Sequence, residues 1–141
     1  KLIKRPDKLA FGSIVNQGLP FYGGCVTYRF GVDCPGGDIR LTVPHYDGAL
    51  TEIFVDGVHA GEIIFPPYEL ELKELSAGRH EIEVKLYTNR RNAFGTVHLY
   101  DKKCHCIGPD AWRTSGCQWS YEYVLRNVGV ESAPVIYSLK K

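Results

Sequence analysis

The residues best suited to chemistry lie in one stretch of the chain, from Asn89 to Cys117. Cys104-His105-Cys106, with His98 and Cys117 nearby, offers thiolates and imidazoles, the ligand types zinc favours. Structural zinc pairs usually leave two to four residues between cysteines, so this spacing departs from a standard site, and an incidental set of loop thiols accounts for it equally. Trp112, flanked by Asp110 and Arg113, is a second candidate: a flat indole can stack on a ligand ring while neighbouring polar groups take its hydroxyls. A loop Trp can equally pin its loop to the body of a domain. Asn89-Arg90-Arg91-Asn92 supplies amides and guanidinium forks for the same use, or a solvated turn. Tyr46 is a further aromatic candidate, with Tyr22 and Tyr100 behind it. Carboxylates are plentiful, but Glu69, Glu71, Glu81 and Glu83 stand two apart on strand-like runs, as a solvated face would have them. Glu52 and Glu62 read the same way. No nucleophile turn and no Asp-rich loop for Ca²⁺ is present, so the sequence predicts no catalytic residue, no metal and no cofactor.

The elements that must position these residues are strands. Val26, Tyr28 and Phe30 fall on one face of a period-two run, as do Ile39, Leu41 and Val43, and Ile82, Val84 and Leu86. Trp119, Tyr121, Tyr123 and Leu125 alternate likewise with Gln118, Ser120 and Glu122, which predicts one more strand with Trp119 in the core. Pro35-Gly36-Gly37, Asp47-Gly48, Asp56-Gly57 and Ala77-Gly78 punctuate the runs, and Asp56-Gly57 is a type I′ hairpin signal. Pro66-Pro67 cannot donate ladder hydrogen bonds and predicts a corner. The expected fold is all-β, an antiparallel β-sandwich or jelly roll. The segments 1–24 and 89–116 do not fit the alternation, and a connection as long as the second is often functional.

Composition bounds the rest. The chain has 141 residues, 44% hydrophobic and 23% charged, enough for one domain with its own core. A net charge of +1 argues against nucleic-acid or anionic-membrane partners. Five cysteines, an odd count, favour reduced thiols and a reducing (cytoplasmic) compartment over a secreted disulfide framework. The chain contains no Met and starts at Lys1, which is read as a piece of a larger protein, residues 1–141 forming a single C-terminal domain.

Four motifs in order carry a resemblance. Phe54-Val55-Asp56-Gly57-Val58-His59-Ala60-Gly61 resembles the V-N-G-x-x-x-G hairpin of the sugar-binding-type, galactose-binding-like jelly roll in family 2 glycoside hydrolases. Pro67-Tyr68-Glu69-Leu70-Glu71-Leu72 is similar to that family's P-Y-x-x-D-I strand, and Gly78 to Val84 to its G-x-N-x-L-x-V strand. Thr88 to Gly95 resembles the T-N-x-x-R-N-x-x-G stretch of large bacterial glycosidase-like proteins. Asp56 and His80 stand where the family commonly has Asn, and Cys104-His105-Cys106 where relatives are His- or Gly-rich. The resemblance implies a non-catalytic, carbohydrate-binding-module-like accessory domain of a bacterial glycoside-hydrolase-like protein. Its expected partners are the parent's catalytic domain and an oligosaccharide. An interaction module without a sugar role, and a small metal enzyme centred on Cys104, His105, Cys106 and Cys117, are the alternatives.

Overall fold

The computed structural model describes residue 4 and residues 7–100 and 108–139. Among the described residues nine strands form, of which β1, β2 and β7 follow the expected alternation: β1 (Cys25–Cys34), β2 (Gly37–Thr42), β3 (Tyr46–Asp47), β4 (Leu50–Val55), β5 (Val58–Ile63), β6 (Glu69–Leu75), β7 (Gly78–Tyr87), β8 (Gly129–Val130) and β9 (Val135–Ser138). All pairings are antiparallel. A four-stranded sheet runs β1-β7-β4-β5, a three-stranded sheet β6-β2-β9, and β3 pairs with β8. This is the predicted β-sandwich.

The inward faces supply the core. Ile39, Leu41, Val43, Ile53, Ile82, Val84 and Leu86 are each at most 1% exposed, and Val26, Tyr28, Ile63 and Leu72 complete the layer. At about 25 cal/mol per Å² of apolar surface removed from water, these side chains are what holds the sheets face to face. The turns are as the sequence requires. Asp56 and Gly57 have φ of 50° and 79°, the paired positive values of the hairpin turn. The Pro66-Pro67 corner separates β5 from β6.

The segment 7–24, unassigned by periodicity, is part of the sandwich. Gly12 and Ile14 donate backbone hydrogen bonds to the Val130 and Val128 carbonyls, both at 2.8 Å, and Ile14 is fully buried. Gly129 sits against this seam with φ 142°, and a Cβ there would lie 2.6 Å from the Gly12 carbonyl oxygen, so only glycine fits. Phe11 stacks on Tyr28 with ring centroids 5.4 Å apart.

One strand expectation fails. Residues 118–125 form no strand; they contribute an isolated antiparallel bridge, Leu99 to Trp119. Trp119 is half-buried instead of core, while Tyr121 is 85% and Tyr123 58% exposed. The alternation is real, but no sheet lies under its apolar side. Among the described residues helix is limited to α1 (Arg91–Phe94) and a 3₁₀ turn, Pro109–Ala111, and no described helix is long and apolar enough to cross a membrane.

Candidate functional site

The irregular region after β7 is held by local chemistry. Asn89 Oδ1 accepts the Arg91 N–H at 3.1 Å, and the Arg90 carbonyl accepts from Ala93 and Phe94, which closes α1. Gly95 then passes so close to Arg91 that a Cβ would lie 2.4 Å from the Arg91 carbonyl oxygen. Asn92, buried at 4% exposure, bonds the Arg126 backbone twice: its Nδ2 donates to the carbonyl (2.8 Å) and its Oδ1 accepts the N–H (2.9 Å). Buried Leu99 anchors the stretch beyond. Three backbone bonds link 97–100 to 118–124: Tyr100 N–H to the Gln118 carbonyl (2.8 Å) and Ser120 N–H to the His98 carbonyl (2.7 Å), which flank the bridge, and Val124 N–H to the Val97 carbonyl (2.6 Å) beyond it.

Two surface features result. The first is a cleft of about 220 Å³ lined by Gly95, Thr96, Val97 and His98 on one wall and by Ala111, Trp112, Arg113 and Thr114 on the other. The 3₁₀ turn brings Trp112 there, with its N–H bonded to the Pro109 carbonyl at 3.3 Å and its side chain 57% exposed. Thr96 is 6% exposed, and its hydroxyl has no hydrogen-bond partner. The second is a series of rings. His98 contacts Tyr123 (4.9 Å between centroids) and stacks near Trp119 (6.0 Å); Tyr123 meets Phe21 edge-on (5.1 Å), and Trp119 meets Tyr121 (5.9 Å). His98 belongs to both features. Its Nδ1–H donates to the Ser120 carbonyl at 2.9 Å, so in the neutral ring Nε2 is the acceptor.

The predicted residues are thus divided. Trp112 forms a cleft wall. Asp110 lies in the 3₁₀ turn, its side chain outside what is described. Asn89 and Arg91 serve the local backbone, and Arg90 is exposed beside α1. Tyr46 is elsewhere: its hydroxyl donates to the Ile63 (2.9 Å) and Ile64 (3.2 Å) carbonyls, its ring meets Tyr68 edge-on, and burial pushes its pKa up. Tyr22 donates to the Cys25 carbonyl at 2.9 Å. Cys104, His105 and Cys106 lie outside the described residues, and no metal-ligating group of three occurs among those described. Thr96, Phe21, Tyr121 and Tyr123 are the residues that sequence reasoning missed, and His98 entered it only as a neighbour of the Cys104–Cys106 thiols. The two tyrosines carried a signal, misread as core because exposed and buried aromatic alternation look alike.

A separate cluster imitates catalytic machinery. His80 Nδ1 is 2.6 Å from Asp56 Oδ2, and its Nε2 is 3.3 Å from the Ser76 hydroxyl. A Ser–His–Asp relay needs Nε2 free to take the hydroxyl proton. Here Nε2 also faces the Ser76 carbonyl at 3.0 Å. Both ring nitrogens therefore face acceptors, and the ring is satisfied only as the imidazolium. The hydrogen bond to Asp56, then that to the Ser76 carbonyl, raises the His80 pKa; His80, then the Glu81 N–H at 2.8 Å, holds the Asp56 carboxyl below its usual range. The cluster is a tie between two turns and not a general base.

No protein-family model matches the chain, and no curated protein matches it. Solved structures do. The chain is similar to part of a rhamnosidase from Novosphingobium sp. PP1Y (TM-score 0.58, 19% identity), covering 84% of this chain and 11% of that one. It is also similar to part of a GH2 β-galacturonidase from Eisenbergiella tayi (TM-score 0.56, 21% identity), covering 92% of this chain and 19% of that one. The likeness is one of fold: this β-sandwich occurs as a minor part of long glycosidase chains.

Proposed function

We propose that the chain is a non-catalytic accessory module of a glycoside-hydrolase-like protein, which supports the catalytic domain and presents the Trp112 cleft and the rings around His98 to carbohydrate. The carrying observation is the asymmetry of coverage: 84% and 92% of this chain match only 11% and 19% of two glycosidases. Charge chemistry supports it. A glycosidase needs a carboxylic acid that keeps its proton, facing a second carboxylate across a cleft. The groove of about 550 Å³ beside the hairpin contains two carboxylates, Asp56 and Glu71. Asp56 is held ionised by His80, and Glu71 pairs with Arg40 at 3.0 Å. Among the described residues, the lining of the Trp112 cleft has no carboxylate.

The test is hydrolysis. The isolated chain should release no aryl alcohol from a panel of nitrophenyl glycosides above the buffer rate. The parent polypeptide should lose thermal stability, or kcat/KM on oligosaccharides, when residues 7–139 are deleted. Turnover by the isolated chain overturns the reading. Unchanged parent stability and kinetics after the deletion would replace it with a protein-docking module that has no sugar role.

A further inference from the structure

We propose that the cleft between Trp112 and His98 holds a single pyranose ring at the end of a saccharide, a site that rests on the accessory-module reading for its ligand class. Size comes first. At about 220 Å³ the cleft is below the range of roughly 300–1,000 Å³ typical of small-molecule pockets, so it takes one ring and not a chain segment. Its walls come next. Val97, Ala111 and Trp112 give a largely apolar lining, and the indole is 57% exposed despite its size. A flat, half-free indole suits the C–H face of a pyranose, whose other face and edge carry hydroxyls.

The polar groups fit the same ligand. The Thr96 hydroxyl is buried without a partner, an arrangement that native proteins rarely tolerate without a use. A turn of the side chain toward the cleft would let a sugar hydroxyl satisfy it. His98 lines the same cleft, and in its neutral ring Nε2 is the acceptor, since Nδ1–H is engaged by Ser120 and the ring is packed against Trp119 and Tyr123. A hydroxyl that both donates and accepts can bridge these two groups, whereas an aliphatic side chain of a docking protein would leave both unpaired. Among the described residues the lining has no carboxylate to repel an acidic sugar, so neutral hexoses and uronates both belong to the class. Backbone bonds on both sides of His98 hold this wall rigid, which binding sites require.

The experiment is an amide and indole NMR titration of the 141-residue chain with methyl glucoside, methyl galactoside, methyl mannoside and sodium glucuronate. At least one should give saturable shifts confined to 95–98, 111–114 and the Trp112 indole, with a Kd near the millimolar range. Trp112→Ala should weaken binding at least about tenfold and Trp112→Phe by much less, a ratio read directly from Kd. Thr96→Val should weaken it several-fold. Trp112 is exposed, and retained dispersion of the core methyl signals checks folding. No shifts from any of the four sugars, or shifts unchanged in Trp112→Ala, overturn the proposal. Turnover of aryl glycosides by the chain overturns the accessory reading alone, so the two failures are separable.

Discussion

At the scale of single residues, His80 has the most definite physics. Its folded pKa is raised, so its contribution to stability is full below the unfolded value near 6.5 and is lost as pH rises through the folded value. Asp56 is depressed, so its contribution is present above about 3.9 and is lost as pH falls through the folded value. The pair is therefore strongest between about 4 and about 6.5. Thermal unfolding of wild type and His80→Gln across pH should show the largest Tm difference in that window and a shrinking one at alkaline pH. A difference that does not vary with pH would mean that His80 acts by shape alone. Neither the pair nor its partner Ser76 was legible in the sequence, because 24 positions separate Asp56 from His80 and only the fold brings them together.

Among the elements, β7 is the one on which the four-stranded sheet depends, since it pairs with both β1 and β4. Ile82 is fully buried on it. Ile82→Val should cost about 0.5–1.5 kcal/mol and Ile82→Ala about 2–5 kcal/mol in denaturant unfolding, because the cavity cannot collapse between two sheets. Asn92 has the corresponding task for the irregular region. Asn92→Ala leaves the Arg126 N–H and carbonyl without partners, a loss of about 1–3 kcal/mol for each group that stays dry. Faster amide exchange at 124–128 would show it, with β7 exchange unchanged. The sequence disclosed the β7 face because buried residues alternate with more exposed ones there from Arg79 to Tyr87. It did not disclose Asn92, since a buried asparagine and a solvated one have the same letter. The run Trp119 to Leu125 failed for the converse reason: alternation specifies two unlike faces, and the presence of a sheet beneath one of them is a tertiary fact.

For the molecule as a whole, the turn grammar and strand periods were sufficient to reach a sandwich, a fold it shares with parts of two solved glycosidases. The site was less accessible. Trp112 stood out by type, but its partners Thr96 and His98 come from the far wall of a cleft that closes only when 97–100 meets 118–124. The seam between Gly12–Ile14 and Val128–Val130 has a consequence for synthesis. Ile14 is synthesised before any of β1 to β9, and the carbonyl that accepts its N–H belongs to Val128, over a hundred residues later. Contacts of such separation slow folding, because the loop must be closed before it is rewarded. A nascent chain must therefore hold a fully apolar residue without its native partner while most of the domain is translated. The final packing of the sandwich waits for one of its last segments to emerge.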